Sequence, residues 1–175
     1  MSQIKVNSII PVAGVPTGGG GGIIQIKQTV KTDITTGSFS GTNYVDVMTV
    51  TITPTSSSSK IFLMTTLSVD CNGNHNATVA QFRRDTTEIF QADASSSRTR
   101  CSFALPARLV DYKLPVVHAS FLDSPSTTNE ITYRLSIFDG NGDGGNYYIN
   151  RAASTVTSAT NVVGCSSLTV MEVSA

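Results

Sequence analysis

The chain has 175 residues, enough for one domain with a proper hydrophobic core, and its 39% hydrophobic content predicts a folded protein. Only 14% of the residues are charged, with 12 basic residues balancing 12 acidic ones, so there is no excess of Lys and Arg to neutralise nucleic-acid phosphates. The sequence contains neither a basic amphipathic helix nor an apolar stretch long enough to span a bilayer, so membrane binding is not predicted. Serine and threonine make up roughly a quarter of the chain, and a neutral surface with little self-repulsion favours oligomers.

The chain begins with an apolar leader, residues 1–17, which five consecutive glycines at positions 18–22 separate from the rest. A glycine run loses much conformational freedom on ordering, so it indicates a tether. Two prolines interrupt the leader, which fits a signal peptide poorly. We therefore predict a docking segment that adds a strand to a partner's sheet or lies in an apolar groove. The candidate anchoring residues are Ile4, Val6, Ile9, Ile10, Pro11 and Val12.

The body, residues 23–175, has the patterning of a single β-domain, with short segments in which apolar and polar residues alternate. Eight to ten short strands at intervals of about ten residues predict an antiparallel β-sandwich or jelly roll. The contiguous apolar run of residues 61–64 indicates a strand buried on both faces, and residues 32–42 are a turn-rich break. Residues 101–113 are less clear, with one helical turn as an alternative at 107–112. The other predicted strands are residues 23–30, 44–53, 60–69, 78–84, 86–91, 116–122, 130–138, 147–149 and 166–173.

One loop has the ligand spacing of a calcium site. Asp139, Asn141 and Asp143 alternate with glycines, and Gly144 occupies the sixth position, where a calcium loop needs a sharp turn. The twelfth position is Asn150 instead of a bidentate glutamate, and predicted strands flank the loop. A polar strand-connecting loop is therefore the favoured interpretation, with Ca²⁺ binding as the alternative and no other cofactor predicted.

Catalytic chemistry is not predicted. No two carboxylates are placed for acid–base work, there is no G-x-S-x-G elbow, and only His75 and His118 could act as a base. His118 lies in an alternating apolar segment, which favours a core or interface position. Three widely spaced cysteines, Cys71, Cys101 and Cys165, fit neither a zinc site nor a disulfide framework, and they indicate small buried thiols made in a reducing cytoplasm.

Two loops carry candidate surface-binding residues. Arg98 and Arg100 can bind acidic sugars or a partner's carboxylates, with local pairing as the alternative interpretation. Asn146, Tyr147 and Tyr148 follow the glycine-rich loop, and we predict that they form a shallow platform for carbohydrate at the loop tip. Both assignments depend on residue type alone.

The opening Ile-Lys-Val-Asn at residues 4–7, which runs into Ser-Ile-Ile-Pro-Val-Ala-Gly-Val-Pro and the glycines, resembles the start of fibre and appendage proteins of tailed bacteriophages, notably marine cyanophages. Residues 54–64, 121–125 and 133–135 add to the resemblance, as does the closing Ser-Leu-Thr-Val-Met-Glu-Val at 167–173. The resemblance implies a virion structural protein made in the host cytoplasm. It also implies an N-terminus that docks on other phage structural proteins, and a trimeric β-domain without catalytic residues.

These observations leave three hypotheses. The first is a short tail fibre or appendage that is anchored by residues 1–17 and displays a trimeric sandwich, with a capsid decoration or knob as its variant. The second is a receptor-binding module that contacts a host-surface glycan through the two loops. The third, a polysaccharide-cleaving enzyme, is the least supported because no acid pair can be nominated.

Overall fold

The computed structural model describes residues 22–72, 77–106, 113–154, 159 and 161–174, and every helix or strand in these ranges is a β-strand. All strand pairings among them are antiparallel, in two sheets, so the predicted all-β sandwich is confirmed. None of the described residues belongs to a helix that could cross a bilayer. The strands are β1 (Ile23–Lys31), β2 (Thr35–Ser38), β3 (Val45–Ile52), β4 (Lys60–Asn72), β5 (Thr78–Arg84), β6 (Thr87–Ile89), β7 (Phe103–Ala104), β8 (Val116–Asp123), β9 (Ile131–Asp139), β10 (Asn146–Ile149) and β11 (Ser166–Val173).

The first sheet is organised around β4, a strand of 13 residues. The first half of β4 lies between β11 and β8, and its second half pairs with β10. β1 pairs with the far side of β11, and β2 pairs with the far side of β10. At its wide end the sheet therefore has the order β1–β11–β4–β8.

The second sheet has the order β3–β9–β5, and the short strands β6 and β7 pair with the free side of β5. Alternate residues of the two sheets point at each other and form the core, because successive side chains of a strand face opposite sides. The largest side chains in this core are fully buried: Tyr133, Phe82, Ile52, Ile61, Leu63, Leu67, Ile131, Leu135, Ile137, Ile149 and Leu168.

Side-chain contacts close both long sides of the sandwich. On one side, Gln25 Nε2 and Thr29 Oγ1 of β1 donate hydrogen bonds to the carbonyls of Thr53 and Thr49, at 2.8 and 2.6 Å. On the other side, the rings of Phe90 and Phe121 stack with their centroids 4.8 Å apart. These contacts hold both edges of the first sheet against the second.

Two sequence predictions need correction. The run at residues 61–64 alternates: Ile61 and Leu63 enter the core, but Phe62 is half-buried and Met64 is exposed. β4 is buried on both faces only at residues 67–71, where later chain segments cover its outer side. The predicted break at residues 32–42 contains β2, which forms because β10 supplies an edge for it to pair with.

Several predictions fall outside the described residues: the docking segment at 1–17, the first four glycines of the tether, and the helical turn at 107–112. The fifth glycine is described. Gly22 donates its N–H to Ser174 Oγ at 2.9 Å and accepts the N–H of Ser174 at 3.0 Å, so it is hydrogen-bonded to the residue that follows β11.

Candidate functional site

Asp139 ends β9 and organises the glycine-rich loop that follows it. Its carboxylate is fully buried, and it accepts the N–H of Asn141 on Oδ1 at 3.1 Å and the N–H of Gly144 on Oδ2 at 2.9 Å. Gly142 and Gly144 have φ angles of +73° and +82°, a region that glycine enters without the steric cost of a Cβ. The alternating Asp-Gly-Asn-Gly-Asp-Gly pattern therefore has a structural explanation as a capped loop.

This geometry bears on the calcium prediction. Both oxygens of Asp139 already accept backbone N–H groups, whereas Asn141 and Asp143 are exposed. No cluster of three or more His, Cys, Asp or Glu side chains that could hold a metal ion occurs in the described part of the chain. The loop has the arrangement of the strand-connecting loop that was the favoured interpretation.

The structure brings the two predicted surface-binding loops together. The side chain of Thr99 packs against Gly140, close enough that a Cβ on the glycine would overlap it. Arg98 and Arg100 flank Thr99, and both are exposed. Arg100 Nε donates to the carbonyl of Ala92 at 2.7 Å, which holds that arginine along its own loop.

The aromatic platform differs from the prediction. Tyr148 is only 7% exposed, its hydroxyl accepts Asn72 Nδ2 at 2.8 Å, and the guanidinium of Arg151 lies over its ring, so a surface role for Tyr148 is wrong. Tyr147 is half-buried and packs on Phe39 with the ring centroids 5.2 Å apart. Both residues lie in β10, and the side chains of Phe39 and Arg151 pack on the rings of Tyr147 and Tyr148, respectively.

Asn146 begins β10 and also has a local role. Its Oδ1 accepts the hydroxyl of Ser38 at 2.6 Å across the pairing with β2. The five candidate surface-binding residues therefore separate into two exposed arginines and three side chains that are tied into strand pairing or packing.

A second surface, which the sequence analysis did not single out, is the outer face of the first sheet. Here β1, β11, β4 and β8 lie side by side, and their outward side chains form three rows that cross all four strands. We call these residues, together with Val116 at the end of β8, the outer face. The rows are Ile26–Met171–Phe62–Leu122, Gln28–Thr169–Met64–Ser120 and Val30–Ser167–Thr66–His118.

The outer face has no aspartate, glutamate, lysine or arginine. Its polar groups bond to each other: Gln28 Nε2 donates to Thr169 Oγ1 at 2.7 Å, and Thr66 Oγ1 lies 3.1 Å from His118 Nδ1. His118 is exposed, so its predicted position in the core is wrong, and its predicted position in an interface stays a prediction. A depression of about 430 Å³ lies between the second and third rows.

The outer side of the second sheet is different in kind. There Asp46 accepts Arg134 Nη1 at 2.7 Å and Arg83 Nη1 at 3.2 Å, and it also accepts the hydroxyl of Ser136 at 2.6 Å. A charged, hydrogen-bonded face is the ordinary condition of a sheet that meets water. The contrast between the two faces marks the uncharged one as the candidate interaction surface.

The remaining buried ionisable groups have structural partners. Asp70 accepts the N–H groups of Cys71 and Ala153 at 2.9 and 2.7 Å. Burial, followed by the negative charges of Asp70 and Asp139, raises the pKa of the Cys71 thiol to about 12, which keeps it protonated and unreactive. The Asp70 carboxylate thus ties Ala153 to β4. The predicted burial of the cysteines is confirmed for Cys71 and is wrong for Cys165, which is exposed, while Cys101 is half-buried.

Each strand by itself shows only a lack of charge at alternate positions. Because the neighbours β1, β11, β4 and β8 are far apart in the chain, the sequence does not show that these positions form one surface. No known protein-family model matches this chain, and a search of curated proteins finds no significant relative.

Proposed function

We propose that this protein is a structural component of a tailed-phage virion, a short fibre or appendage that is anchored through residues 1–17 and displays its β-domain as a homo-oligomer, which we take to be a trimer. The observation that carries the proposal is the uncharged outer face of the first sheet, on a head whose other sheet has an ordinary charged exterior. An assembly subunit needs such a surface, and a solitary enzyme or carrier does not.

The chemistry of the described residues supports an assembly role over a catalytic one. The buried carboxylates of Asp70 and Asp139 accept backbone N–H groups, and the carboxylate of Asp123 is paired with Arg84. The sequence of the leader adds to the argument, since its apolar residues are separated from the head by a run of glycines, the composition of a linker.

Labelled particles test the proposal. Antibodies against the head should decorate virions of the source phage at one repeated position in electron micrographs. The full chain carrying Ile9→Asp and Ile10→Asp should fold normally by circular dichroism and fail to incorporate, because two carboxylates in the docking segment oppose its burial. Val163→Asp, a change on the exposed part of the head, is the matched control and should incorporate. Normal incorporation of the leader variant would contradict the anchor, and unlabelled virions would contradict the structural role.

A second candidate function is binding of a host-surface glycan. The contact between Thr99 and Gly140 favours it, because it places the exposed Arg98 beside the glycine-rich loop. A glycan array probed with the full chain and with Arg98→Ala tests this candidate. We expect acidic glycans to bind the wild-type chain more strongly, and an array without any bound glycan would contradict it.

A further inference from the structure

We propose that the outer face is the surface through which copies of this chain bind one another. This inference rests on the proposed function, since it identifies the contact surface of the homo-oligomer. The occupant of the face is therefore a second copy of the chain.

The face exposes more apolar surface than a solvated sheet does. Of the ten large apolar side chains that are exposed in the described part of the chain, six lie on the outer face or at its edge beside Val173. A sheet face in water normally presents polar and charged side chains, and clustered apolar ones mark an interaction site. The six are Ile23, Ile26, Val30, Met64, Val116 and Leu122.

The charge distribution indicates what covers the face. A partner with phosphates, acidic sugars or charged side chains would find no opposite charge there, and its own charges would lose water without compensation. Another copy brings the same uncharged surface, so neither side buries an unpaired charge. Lys60, exposed at the end of β4 beside Val173, stands at the rim, where water can still reach it.

Two pairs of polar side chains on the face are already hydrogen-bonded within it. Gln28 is paired with Thr169, and Thr66 is paired with His118, within the same sheet. Polar groups that are already hydrogen-bonded lose less when water leaves than unpaired ones do. The outer face can therefore leave water without breaking these pairs.

The size of the face also fits association between copies. Four strands at a spacing of about 4.8 Å, over the eight-residue length of β8 and β11 at about 3.3 Å per residue, cover roughly 500 Å² in projection. Two such faces remove roughly 1,000 Å² from water, the lower bound for a specific interface. Around a three-fold axis each copy divides its face between two neighbours, so the three faces of a trimer together remove roughly 1,500 Å² from water.

Charge insertion into the full chain tests the proposal. We expect the wild-type chain to sediment as an oligomer at micromolar concentration. Ile26→Lys and Ser120→Lys should each raise the dissociation constant about tenfold or more, because like charges then meet across the interface. Ile34→Lys is the matched control, since Ile34 is also 54% exposed but lies between β1 and β2, and it should leave the oligomer intact.

Ser120 is exposed and has no core contact, so its replacement should not disturb folding, which far-ultraviolet circular dichroism checks. A mixture of Ser120→Lys and Ser120→Glu chains should recover the oligomer, because opposite charges then face each other. Wild-type-like oligomers of both lysine variants would overturn the assignment of the face while the proposed oligomer stands. A wild-type chain that stays monomeric would overturn both, and virion labelling would still decide the structural role independently.

Discussion

The phenol of Tyr133 donates a hydrogen bond of 2.7 Å to Oδ2 of Asp123, and this contact joins the two sheets. Tyr133 is a fully buried residue of β9, and Asp123 ends β8. Nη1 of Arg84 lies 3.0 and 2.9 Å from the two oxygens of the same carboxylate. The Asp123 carboxylate therefore accepts hydrogen bonds from Arg84 of β5 and Tyr133 of β9, and these bonds hold β8 against the second sheet.

Removal of the phenol hydroxyl should weaken the fold measurably. Tyr133→Phe deletes a hydrogen bond to a buried carboxylate, so we expect the free energy of unfolding to fall by about 1–3 kcal/mol. Tyr44→Phe is the control, since Tyr44 donates a similar bond of 2.7 Å to Glu88 at an exposed position, and it should cost less. Urea denaturation of the three proteins measures both differences. Equal losses in the two variants would contradict the inter-sheet role of Tyr133.

Stability should also fall at alkaline pH through the same residue. Burial, followed by the hydrogen bond to Asp123, raises the pKa of Tyr133 above its ordinary value. The unfolded chain releases this proton near pH 10, whereas the folded chain keeps it. The protonated phenol of Tyr133 therefore contributes fully to the free energy of unfolding below about pH 10. This contribution is lost as the pH rises towards the pKa of Tyr133 in the folded chain.

Denaturation of the wild-type chain and Tyr133→Phe between about pH 8 and pH 11 measures this effect. The variant should lose stability less steeply, because it lacks the shifted phenol. Parallel curves would contradict the prediction. Tyr44 and Cys71, whose pKa values are both raised to about 12, are present in both proteins and cancel in the comparison.

At acid pH the fold should lose stability because Glu172 becomes protonated. This side chain is fully buried, which opposes ionisation, but hydrogen bonds from Gln25 and Thr55 outweigh burial and hold its pKa below the ordinary value. Ionised Glu172 therefore stabilises the fold fully above about pH 4.3, the ordinary pKa of a glutamate in an unfolded chain. This stabilisation is lost as the pH falls through the pKa of Glu172 in the folded chain.

Thermal melts of the wild-type chain and Glu172→Gln from about pH 6 to pH 2.5 test the acid prediction. The wild-type chain should be more stable at pH 6, and the difference should shrink below about pH 4. Glu130→Gln, at an exposed carboxylate, is the control and should show no such trend. A constant difference for Glu172→Gln would show that the charge of this residue is not responsible.

Gly37 is required because the ring of Tyr147 lies across it. The two residues are partners in the pairing of β2 with β10, and a Cβ on Gly37 would overlap the phenol. Gly37→Ala should therefore lower the free energy of unfolding by about 1–3 kcal/mol, through forced displacement of the ring. In a double-mutant cycle with Tyr147→Ala, the cost of Gly37→Ala should largely disappear. Additive losses in denaturation experiments would place the cause elsewhere.

The conformation of the glycine-rich loop should depend on the Asp139 carboxylate and should not need a metal ion. Asp139→Ala leaves the N–H groups of Asn141 and Gly144 without their acceptor, which should cost about 1–3 kcal/mol. Asp143→Ala, at an exposed carboxylate, should cost little. Melting temperatures with Ca²⁺ and with a chelator should agree for the wild-type chain. A rise with Ca²⁺ that Asp143→Ala abolishes would instead support the calcium alternative.

Most of the strands were predictable because local alternation reports burial. β9 shows this best: Ile131, Tyr133, Leu135 and Ile137 alternate with polar residues and all reach the core. β2 was missed because its sequence, Thr-Thr-Gly-Ser, has no apolar alternation and depends on pairing with a distant strand.

The candidate sites were less predictable because the exposure of a side chain depends on which distant segments of the chain pack against it. Tyr148 follows a glycine-rich loop and was predicted at a loop tip, yet its pairing with Asp70 in β4 and its contact with Arg151 bury it. The capped loop at Asp139 was predictable, since its residue types serve a turn wherever the strands lie.

Three properties follow from neighbouring residues or from residue counts: an all-β head, a neutral composition and an apolar leader before a glycine run. In contrast, the union of the uncharged sides of β1, β11, β4 and β8 into one surface follows from the folded arrangement of the chain. Ile26 and Met171 are opposite each other although 145 positions separate their numbers, 171 minus 26. Pairing at such distances depends on the whole core, so no local pattern could reveal it.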